Sequence, residues 1–380
     1  MKKIGIISLF NMTNVNYGNK LQAFALNYWL RNEFPKYKIE TLYFSKINDR
    51  LKTKNKPLIK RIIWRFVQFK EKQCKSNLVD VRLNRCNDFS KRYINLVPKA
   101  VSWDMLLNTD YDAIIVGSDI VWGQSRYGMS RIKFLDFNTN KPFKKIAYAA
   151  SFGKNFIPTE NIADVKRCLM DFTCISTREL SSVNMLEKLG IRNVIHTLDP
   201  TLLIDINVWM EIEVRPKNLE VHKNQYIFTY LLGSAVKDRK NIERIARLEN
   251  LPLVVIPFAN GEKNHADDLF GDIQIMDCSP EEWIWLIHNA RYIITDSFHG
   301  IVFSTIFEKN FLAIQRKYTM DINDRLYDFL QLVGQLDKFV DLEKVDTPRT
   351  FVWDYTRSRD ILNRKRNQSY EFLRSAIKDI

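Results

Sequence analysis

The chain has 380 residues, of which 46% are apolar and 12% aromatic. This composition is sufficient for two domains with hydrophobic cores and excludes an intrinsically disordered protein. The apolar run after the first three residues is too short for a secretory signal peptide, and no stretch has the length needed to span a bilayer. The cysteines have no paired spacing, which argues against a zinc site and against a disulfide framework. We therefore expect a two-domain enzyme in the cytoplasm.

The formal charge of +14 is concentrated in one segment. Residues 46–99 contain 16 Lys or Arg against 4 Asp or Glu. Between Leu58 and Phe69, apolar residues recur at helical intervals with basic residues between them, which predicts a basic amphipathic helix. We regard residues 46–99 as a basic helical insertion in the N-terminal domain. The predicted helix either binds the anionic inner face of the membrane or an acidic lipid-linked substrate, or else it packs its apolar face on its own domain. Nucleic acid is not an expected partner, because aromatic and basic residues are not interleaved as in a stacking surface.

In the first half of the chain, short apolar runs alternate with helical stretches, which predicts a parallel sheet covered by helices. A first strand at Ile4–Leu9 is followed by a polar loop at 11–19 and a helix that begins near Lys20. The other strands predicted in this half are Ile39–Phe44, Ala113–Val116, Ile146–Ala150, Cys174–Thr177 and Val194–Leu198. Polar residues follow several of these strands, at the edge where open α/β sheets bind ligands.

The alternation restarts after a polar stretch at 211–224. The strands predicted beyond it are Tyr226–Leu232, Leu253–Pro257, Tyr292–Thr295 and Phe311–Ile314, and the predicted helices are 237–249, 280–289, 323–333 and 357–377. We divide the chain into an N-terminal domain of residues 1–210, a C-terminal domain of residues 211–347 and a final helical segment of residues 348–380. Neither a Gly-x-Gly-x-x-Gly fingerprint nor a P-loop is present.

One predicted turn has the features of an anion-binding site. The strand at 292–295 leads into a helix predicted from about Ile301, and His299 lies at the junction. The first N–H groups of a helix lack internal acceptors, Gly300 leaves room for close approach, and an imidazole can transfer a proton near neutral pH. The alternative is an ordinary strand-to-helix turn in which Asp296 or Ser297 caps the helix.

Six motifs, taken together and in this order, resemble the polysaccharide pyruvyl transferase family. They are Asn16-Tyr17-Gly18-Asn19-Lys20-Leu21-Gln22-Ala23-Phe24-Ala25-Leu26, Gly117-Ser118-Asp119-Ile120-Val121-Trp122, Ala147-Tyr148-Ala149-Ala150-Ser151-Phe152-Gly153, Ser176-Thr177-Arg178-Glu179, Asp199-Pro200-Thr201-Leu202 and Thr295-Asp296-Ser297-Phe298-His299-Gly300. Each motif is weak alone, and the resemblance extends over residues 4 to about 335.

The resemblance implies two Rossmann-like α/β domains facing each other across a cleft, similar to GT-B glycosyltransferases, with the last helix crossing back to the first domain. It also implies transfer of pyruvate from phosphoenolpyruvate to two hydroxyls of a sugar, which forms a ketal in a precursor of a capsule or exopolysaccharide. Phosphoenolpyruvate would then be a co-substrate, the acceptor would be a lipid-linked sugar, and no metal or further cofactor is expected.

Phosphoenolpyruvate carries a phosphate and a carboxylate, which guanidinium and N–H groups bind. Arg178 matches the Arg of the family's Arg-Asp/Glu motif and is predicted to bind this donor, the alternative being a surface salt bridge. His299 is predicted to protonate the methylene carbon or the leaving phosphate, and Asp119 to be the base that takes a sugar proton or else a helix cap.

One position departs from the family pattern. Many members have a basic residue two positions before the histidine, where this chain has Ser297. Either Lys317 or Arg325 supplies the missing positive charge, or the donor differs. The residues predicted to bind the donor are Arg178, Ser297, Gly300, Lys317 and Arg325. The residues predicted for the acceptor or its loops are Asn16, Tyr17, Gly18, Asn19, Ser118, Trp122 and Ser151.

Two other functions remain open. A nucleotide-sugar-dependent glycosyltransferase would use the same cleft, with Arg178 at the diphosphate and His299 at the transferred sugar. A member without catalytic activity would serve as a scaffold in polysaccharide assembly. The other histidines lack the spacing of a metal site.

Overall fold

The computed structural model describes residues 1–44, 77–123, 129–217, 219–259, 261, 264–317, 323–378 and 380. The basic amphipathic helix predicted between Leu58 and Phe69 lies outside the described residues.

The first half of the chain forms a sheet of six parallel strands in the order β2-β1-β3-β4-β5-β6. The strands are β1 (Lys3–Ile7), β2 (Lys38–Leu42), β3 (Ala113–Val116), β4 (Lys144–Ala150), β5 (Cys174–Thr177) and β6 (Val194–His196). The helices of this half are α1 (Tyr17–Glu33), α2 (Asn77–Tyr93), α3 (Trp103–Leu107), α4 (Ile162–Met170) and α5 (Leu180–Lys188). The predicted alternation of strands and helices is confirmed here.

The apolar sequence of strand β3 explains why this strand lies inside a parallel sheet. All four of its side chains are buried, with Ile115 packed in one hydrophobic cluster and Ile114 and Val116 in another. A continuous apolar run of this kind is stable only in a strand that is covered on both faces.

The second half forms another sheet of six parallel strands, in the order β12-β11-β10-β7-β8-β9. The strands are β7 (Ile227–Tyr230), β8 (Leu253–Val255), β9 (Ile273–Gln274), β10 (Tyr292–Thr295), β11 (Phe311–Ile314) and β12 (Phe339–Val340). The helices between and before them are α6 (Ile206–Ile212), α7 (Val236–Glu249), α8 (Pro280–His288), α9 (Phe298–Ile306) and α10 (Asp324–Leu332).

A shared hydrophobic core joins the two halves. The Trp209 ring lies 5.4 Å from that of Phe24 on α1 and 4.8 Å from that of Phe303 on α9. The Tyr17 ring stacks on Trp283 of α8 at 5.7 Å. Burial of several aromatic rings at one contact holds α1 of the first half against α8 and α9 of the second.

The last helix, α11 (Thr356–Ile377), returns to the first half of the chain. The Ser369 hydroxyl accepts a hydrogen bond from the Leu198 N–H at 3.0 Å, and Arg374 forms an ion pair with Glu33 of α1 at 2.7 Å. The predicted crossing of this helix is therefore confirmed, whereas the domain limits at residues 210 and 347 stay predictions. Among the described helices, none combines the length and the apolar character that crossing a membrane requires.

Candidate active site

The carboxyl ends of the central strands bring the predicted site residues to the cleft between the sheets. Asp119 follows β3, Arg178 follows β5, and His299 follows β10 at the start of α9. All three side chains are buried. The edge of a parallel sheet where the strands end is where open α/β folds bind ligands, so strand order alone collects these groups.

Asp199, which the sequence placed in a motif without assigning it a role, connects the histidine to the arginine. Its Oδ2 lies 3.2 Å from Arg178 Nη1 and 3.6 Å from His299 Nε2. Burial by itself would raise the pKa of the Asp199 carboxyl, but His299 and Arg178 hold that pKa well below its usual value. The distance of 3.6 Å to His299 Nε2 is too long for a hydrogen bond, so the carboxylate and the imidazole are close neighbours without a direct bond. The same strand-end position that drew attention to Asp119 would have identified Asp199.

Asp119 connects two arginines across the cleft. Its Oδ1 lies 3.3 Å from Arg178 Nη1 and 3.4 Å from Arg325 Nη1, and its Oδ2 accepts a hydrogen bond from Asn19. Burial would raise the pKa of this carboxyl, yet Arg178, His299 and Arg325 together lower it. A carboxylate held in this way is a weak proton acceptor, so Asp119 positions the arginines instead of being the predicted base.

Phe298 supports both guanidinium groups. The Arg178 Cζ lies 4.1 Å from the centroid of the Phe298 ring, and that of Arg325 lies 5.6 Å from it. The face of an aromatic ring attracts a cation. Arg178 from the first sheet and Arg325 from α10 are therefore held on one surface beside His299.

Several buried cationic nitrogens in this region have no hydrogen-bond partner among the described residues. They are Arg178 Nη2, Arg325 Nε, Arg316 Nε and His299 Nε2. Burial lowers the pKa of Arg325, Asp119 opposes this effect, and Arg316 and Arg178 add to it. Leaving a buried donor unpaired costs about 1–3 kcal/mol, so a cluster of such donors indicates a place for an anionic ligand.

A cavity of about 460 Å³ lies beside this cluster. Arg178, Glu179, Asp199 and Arg325 line it, together with residues of α5, α10 and α11. Its volume falls in the range of about 300–1,000 Å³ that is usual for small-molecule sites. Of the described site residues, Asp119 and His299 do not line the cavity, although His299 contacts Asp199, which does.

The turn at His299 differs from its prediction. The helix α9 begins at Phe298 and not near Ile301, so His299 lies in the first turn. The Ser297 hydroxyl caps the helix by accepting a hydrogen bond from the Gly300 N–H at 3.3 Å. A Cβ atom at Gly300 would lie 2.7 Å from Thr295 Oγ1, so this glycine allows the helix to pack on the preceding strand. Ser297 and Gly300 thus have structural roles in place of the predicted donor contacts.

The loop before α1 supports the site without contacting the cavity. Asn16 caps α1 by accepting a hydrogen bond from the Asn19 N–H at 3.1 Å, and Asn19 in turn binds Asp119. A Cβ atom at Gly18 would lie 2.1 Å from His299 Nδ1. Glycine is therefore needed there for the imidazole to fit against α1.

Two predicted aromatic ligands are core residues instead. The Tyr17 hydroxyl donates to the Cys278 carbonyl at 2.9 Å within the contact between the two halves. Trp122 is fully buried, donates from Nε1 to the Lys133 carbonyl at 3.0 Å and stacks on Phe134. Neither ring can contact an acceptor sugar, because both are enclosed by protein.

The two serines predicted near the acceptor position carboxylates. Ser118 Oγ lies 3.2 Å from Asp199 Oδ2, and Ser151 Oγ donates to Glu179 Oε1 at 2.9 Å. Both hydroxyls are buried. They fix the orientation of the two acids, and their predicted role at the acceptor stays a prediction.

Of the two cations predicted to replace a basic residue at position 297, the structure brings Arg325 of α10 and not Lys317 into the cluster. Lys317 forms an ion pair with Asp238 at 2.8 Å and is more than a third exposed, so it is not part of the cluster. Arg325 belongs to it. Arg316, which the sequence reasoning missed, is also buried, and its Nη2 donates to the Asp296 carbonyl at 2.9 Å. Its place directly after β11 is the signal that would have found it.

Two facing parallel α/β sheets with a final helix that crosses back define a protein of the GT-B fold. The UDP-GlcNAc 2-epimerase of Methanocaldococcus jannaschii, in complex with UDP-GlcNAc and UDP, has a TM-score of 0.50 at 12% identity, covering 97% of this chain and 99% of that one. A putative UDP-N-acetylglucosamine 2-epimerase from Listeria monocytogenes has a TM-score of 0.48 at 11% identity, covering 100% and 98%. The Escherichia coli heptosyltransferase WaaC with ADP has a TM-score of 0.39 at 11% identity, covering 84% and 89%. At such identities the likeness concerns the fold alone.

The chain belongs to the polysaccharide pyruvyl transferase family. The family model described as "Polysaccharide pyruvyl transferase" matches residues 16–318, which is most of the chain. The comparison with curated proteins gives no match. Membership of this family indicates a transferase that acts in polysaccharide biosynthesis.

Proposed function

We propose that this protein transfers pyruvate from phosphoenolpyruvate to two hydroxyls of a sugar in a surface-polysaccharide precursor. The observation that carries the proposal is the cluster of buried cationic nitrogens without partners at Arg178, Arg325, Arg316 and His299. Arg178 contacts both Asp119 and Asp199. Arg325 contacts Asp119, and His299 lies beside Asp199.

Phosphoenolpyruvate suits this cluster because it has two anionic groups on neighbouring atoms. The free Arg178 Nη2 and Arg325 Nε are placed to donate to its phosphate and carboxylate oxygens, and charge-assisted hydrogen bonds of this kind are the strong ones. Arg325 takes the role that the family assigns to the basic residue absent at Ser297. The donor thus remains phosphoenolpyruvate despite the altered motif.

His299 is the acid in this proposal. Its Nε2 has no hydrogen-bond partner among the described residues, and the Asp199 carboxylate lies 3.6 Å from it. The Nε2 proton goes to the methylene carbon of phosphoenolpyruvate, the two sugar oxygens bond to the adjacent carbon, and the bond from that carbon to the phosphate oxygen breaks. One hydroxyl proton thus returns to His299 Nε2 in place of the proton given to the methylene carbon, and the other ends on the phosphate.

The donor is tested by thermal unfolding of the purified protein with phosphoenolpyruvate, uridine and guanosine diphosphate sugars, and inorganic phosphate. A ligand at 100 times its Kd adds about 2.7 kcal/mol to the free energy of unfolding. We expect phosphoenolpyruvate to raise the melting temperature by a few degrees. Stabilisation by a nucleotide sugar and not by phosphoenolpyruvate would favour a glycosyltransferase and reject the proposal.

The role of His299 is tested by phosphate release from phosphoenolpyruvate with a panel of methyl hexopyranosides. Removing a general acid typically lowers the rate about 10²–10⁴-fold, so His299→Gln should lose phosphate release by that factor while still binding phosphoenolpyruvate. His265→Gln, at an exposed histidine outside the cluster, is the matched control. A wild-type protein that binds the donor and yields no product with any acceptor would favour the scaffold function.

A further inference from the structure

Glu179 has an unusual hydrogen-bond environment beside the cavity. Its Oε1 accepts from Arg178 Nε at 3.0 Å and from Ser151 Oγ at 2.9 Å. Its Oε2 is buried and has no partner among the described residues. One oxygen of the carboxylate is therefore fixed twice, and the other is buried without a partner among the described residues.

The pairing of Glu179 with Arg178 leaves one atom free on each side. A carboxylate and a guanidinium can form two parallel hydrogen bonds, but here only Nε and Oε1 are joined, so Arg178 Nη2 and Glu179 Oε2 both remain unpaired. The free nitrogen requires an acceptor such as a phosphate or carboxylate oxygen. The free oxygen requires a donor such as a hydroxyl.

The unpaired nitrogen suits the anionic donor and the unpaired oxygen suits a sugar hydroxyl, which are the two substrates of the proposed reaction. The assignment that follows rests on that proposed function. We infer that Glu179 is the catalytic base, whose Oε2 takes the proton of the sugar hydroxyl as its oxygen bonds to the central carbon of phosphoenolpyruvate. The proton then passes to the phosphate that leaves, while the second hydroxyl replaces the proton that His299 gave to the methylene carbon. No further reactant is needed, and Glu179 ends the cycle as a carboxylate.

The position of Glu179 distinguishes it from the other acids of the site. Glu179 lines the cavity, whereas both oxygens of Asp119 are paired, Oδ1 with Arg178 and Arg325 and Oδ2 with Asn19. Asp199 lines it too, but its Oδ1 accepts from the Thr201 N–H and hydroxyl, and its Oδ2 contacts Arg178, Ser118 and His299. Glu179 is thus the acid among these three that combines a place in the cavity wall with an unpaired oxygen.

Ser151 is a positioning residue in this scheme. Its hydroxyl accepts from the Gly153 N–H at 2.9 Å and donates to Glu179 Oε1, so it orients the carboxylate without contacting the reacting atoms. The sequence predicts that Ser151 contacts the acceptor sugar. In this scheme Glu179 contacts the sugar, and Ser151 orients Glu179.

The inference is tested with Glu179→Gln, Glu179→Asp and Ser151→Ala, each checked for a wild-type unfolding transition. We expect Glu179→Gln to bind phosphoenolpyruvate within about threefold of wild type and to release phosphate at least about 100-fold more slowly. Glu179→Asp should recover part of the activity, because it restores a carboxylate, and Ser151→Ala should lower kcat modestly without changing phosphoenolpyruvate binding.

Two results would overturn the assignment of Glu179. The first is a Glu179→Gln variant that keeps more than a third of the wild-type kcat. The second is a loss of phosphoenolpyruvate affinity in Glu179→Gln equal to the loss of kcat, which would mean that Glu179 only holds Arg178. Absence of phosphoenolpyruvate binding by the wild-type protein is a separate outcome that rejects the proposed function itself.

Discussion

Buried arginines lie at two places between the halves of this protein, Arg82 at one and Arg178 with Arg325 at the other. The two places differ in how many of the guanidinium nitrogens already donate a hydrogen bond. Arg82 on α2 donates from Nε to the Met276 carbonyl at 2.8 Å, and from Nη1 and Nη2 to the carbonyls of Phe258 and Pro257 at 3.1 and 2.9 Å. In the cleft, Arg178 Nη2 and Arg325 Nε have no hydrogen-bond partner among the residues that the structure describes.

This difference separates a structural contact from a binding site. Each nitrogen of the Arg82 guanidinium donates to a carbonyl of the second half, so a ligand would have to break existing bonds to reach it. The cleft arginines are oriented by Asp119, Asp199 and an aromatic ring and still have donors to offer. A preorganised and incompletely paired guanidinium is what an anionic substrate requires.

The sharpest test of this comparison is the pair Arg82→Met and Arg325→Met. Arg82→Met leaves three carbonyl oxygens without their donor, and we expect it to lower the free energy of unfolding by about 3–5 kcal/mol in urea titrations. Arg325→Met should change the free energy of unfolding by less than about 1.5 kcal/mol, because Asp119 still contacts Arg178 and Asn19 in this variant. The same substitution should weaken phosphoenolpyruvate binding by about 2–3 kcal/mol.

The control for this pair is Arg85→Met, on the same helix as Arg82. Arg85 pairs with Asp277 and Glu282 and is about a third exposed, so its loss should cost less stability than that of Arg82 and leave binding unchanged. If Arg82→Met and Arg325→Met reduced stability and binding in the same proportion, the distinction between the two regions would be lost.

A smaller effect is expected at the contact between α1 and His299, the acid of the proposed reaction. Gly18→Ala places a methyl group 2.1 Å from the present position of His299 Nδ1, so the ring must move. A displacement of about 1 Å at a catalytic group lowers the rate about 100-fold, and we expect kcat to fall by this factor. Binding of phosphoenolpyruvate, measured by calorimetry, should persist because the arginines are untouched.

The matched control for Gly18→Ala is Gly5→Ala on β1. A Cβ atom there would lie 2.9 Å from Leu42 Cδ1, which is a steric conflict of the same kind at a distance from the histidine. Equal losses of kcat in the two variants would show that general destabilisation, and not the position of His299, is responsible.

The smallest expected effect concerns Lys20, a third buried cation. Its Nζ contacts the Asn11 carbonyl and Asn87, and it pairs with no carboxylate among the described residues. Burial lowers the pKa of Lys20 to about 8. Between pH 8 and the ordinary lysine value the unfolded chain binds this proton and the folded protein does not, so the Lys20 contribution to the free energy of unfolding rises with pH.

The lowered pKa destabilises the fold by about 3 kcal/mol at pH 7 and about 1 kcal/mol at pH 10. Lys20→Met removes this penalty but also loses the contacts with Asn11 and Asn87, worth about 1 kcal/mol, so the variant should gain about 2 kcal/mol over wild type at pH 7 and little at pH 10. Urea titrations at pH 7, 8, 9 and 10 measure the difference, with Lys91→Met at an exposed site of α2 as the control. A difference between Lys20→Met and wild type that stays constant with pH would mean that Lys20 does not titrate in this range.

The fold was largely predictable from local patterns. The strands predicted at Ala113–Val116, Cys174–Thr177, Tyr292–Thr295 and Phe311–Ile314 have the same limits in the structure, because continuous apolar runs bounded by polar residues identify buried parallel strands. The two-residue strands β9 and β12 were missed, since they exist only through pairing with a neighbouring strand.

The candidate site was predictable in part. Strand ends and motif order led to His299, Arg178 and Asp119, which the structure brings together. The roles of Tyr17 and Trp122 were misjudged, because an aromatic residue beside a polar motif has the same sequence signature whether it faces a ligand or the core.

The sequence by itself determined the two parallel sheets and which polar residues stand at their carboxyl ends, because strand periodicity and the residues that follow each strand are local properties. Only the tertiary structure decided which charges are paired. Asp119 and Arg325 are 206 residues apart in the chain and meet where α10 contacts the start of α5, at the hydrogen bond from Ser181 to Asp328. Whether Glu179 Oε2 and Arg178 Nη2 stay unpaired depends on such distances, and no local pattern encodes them.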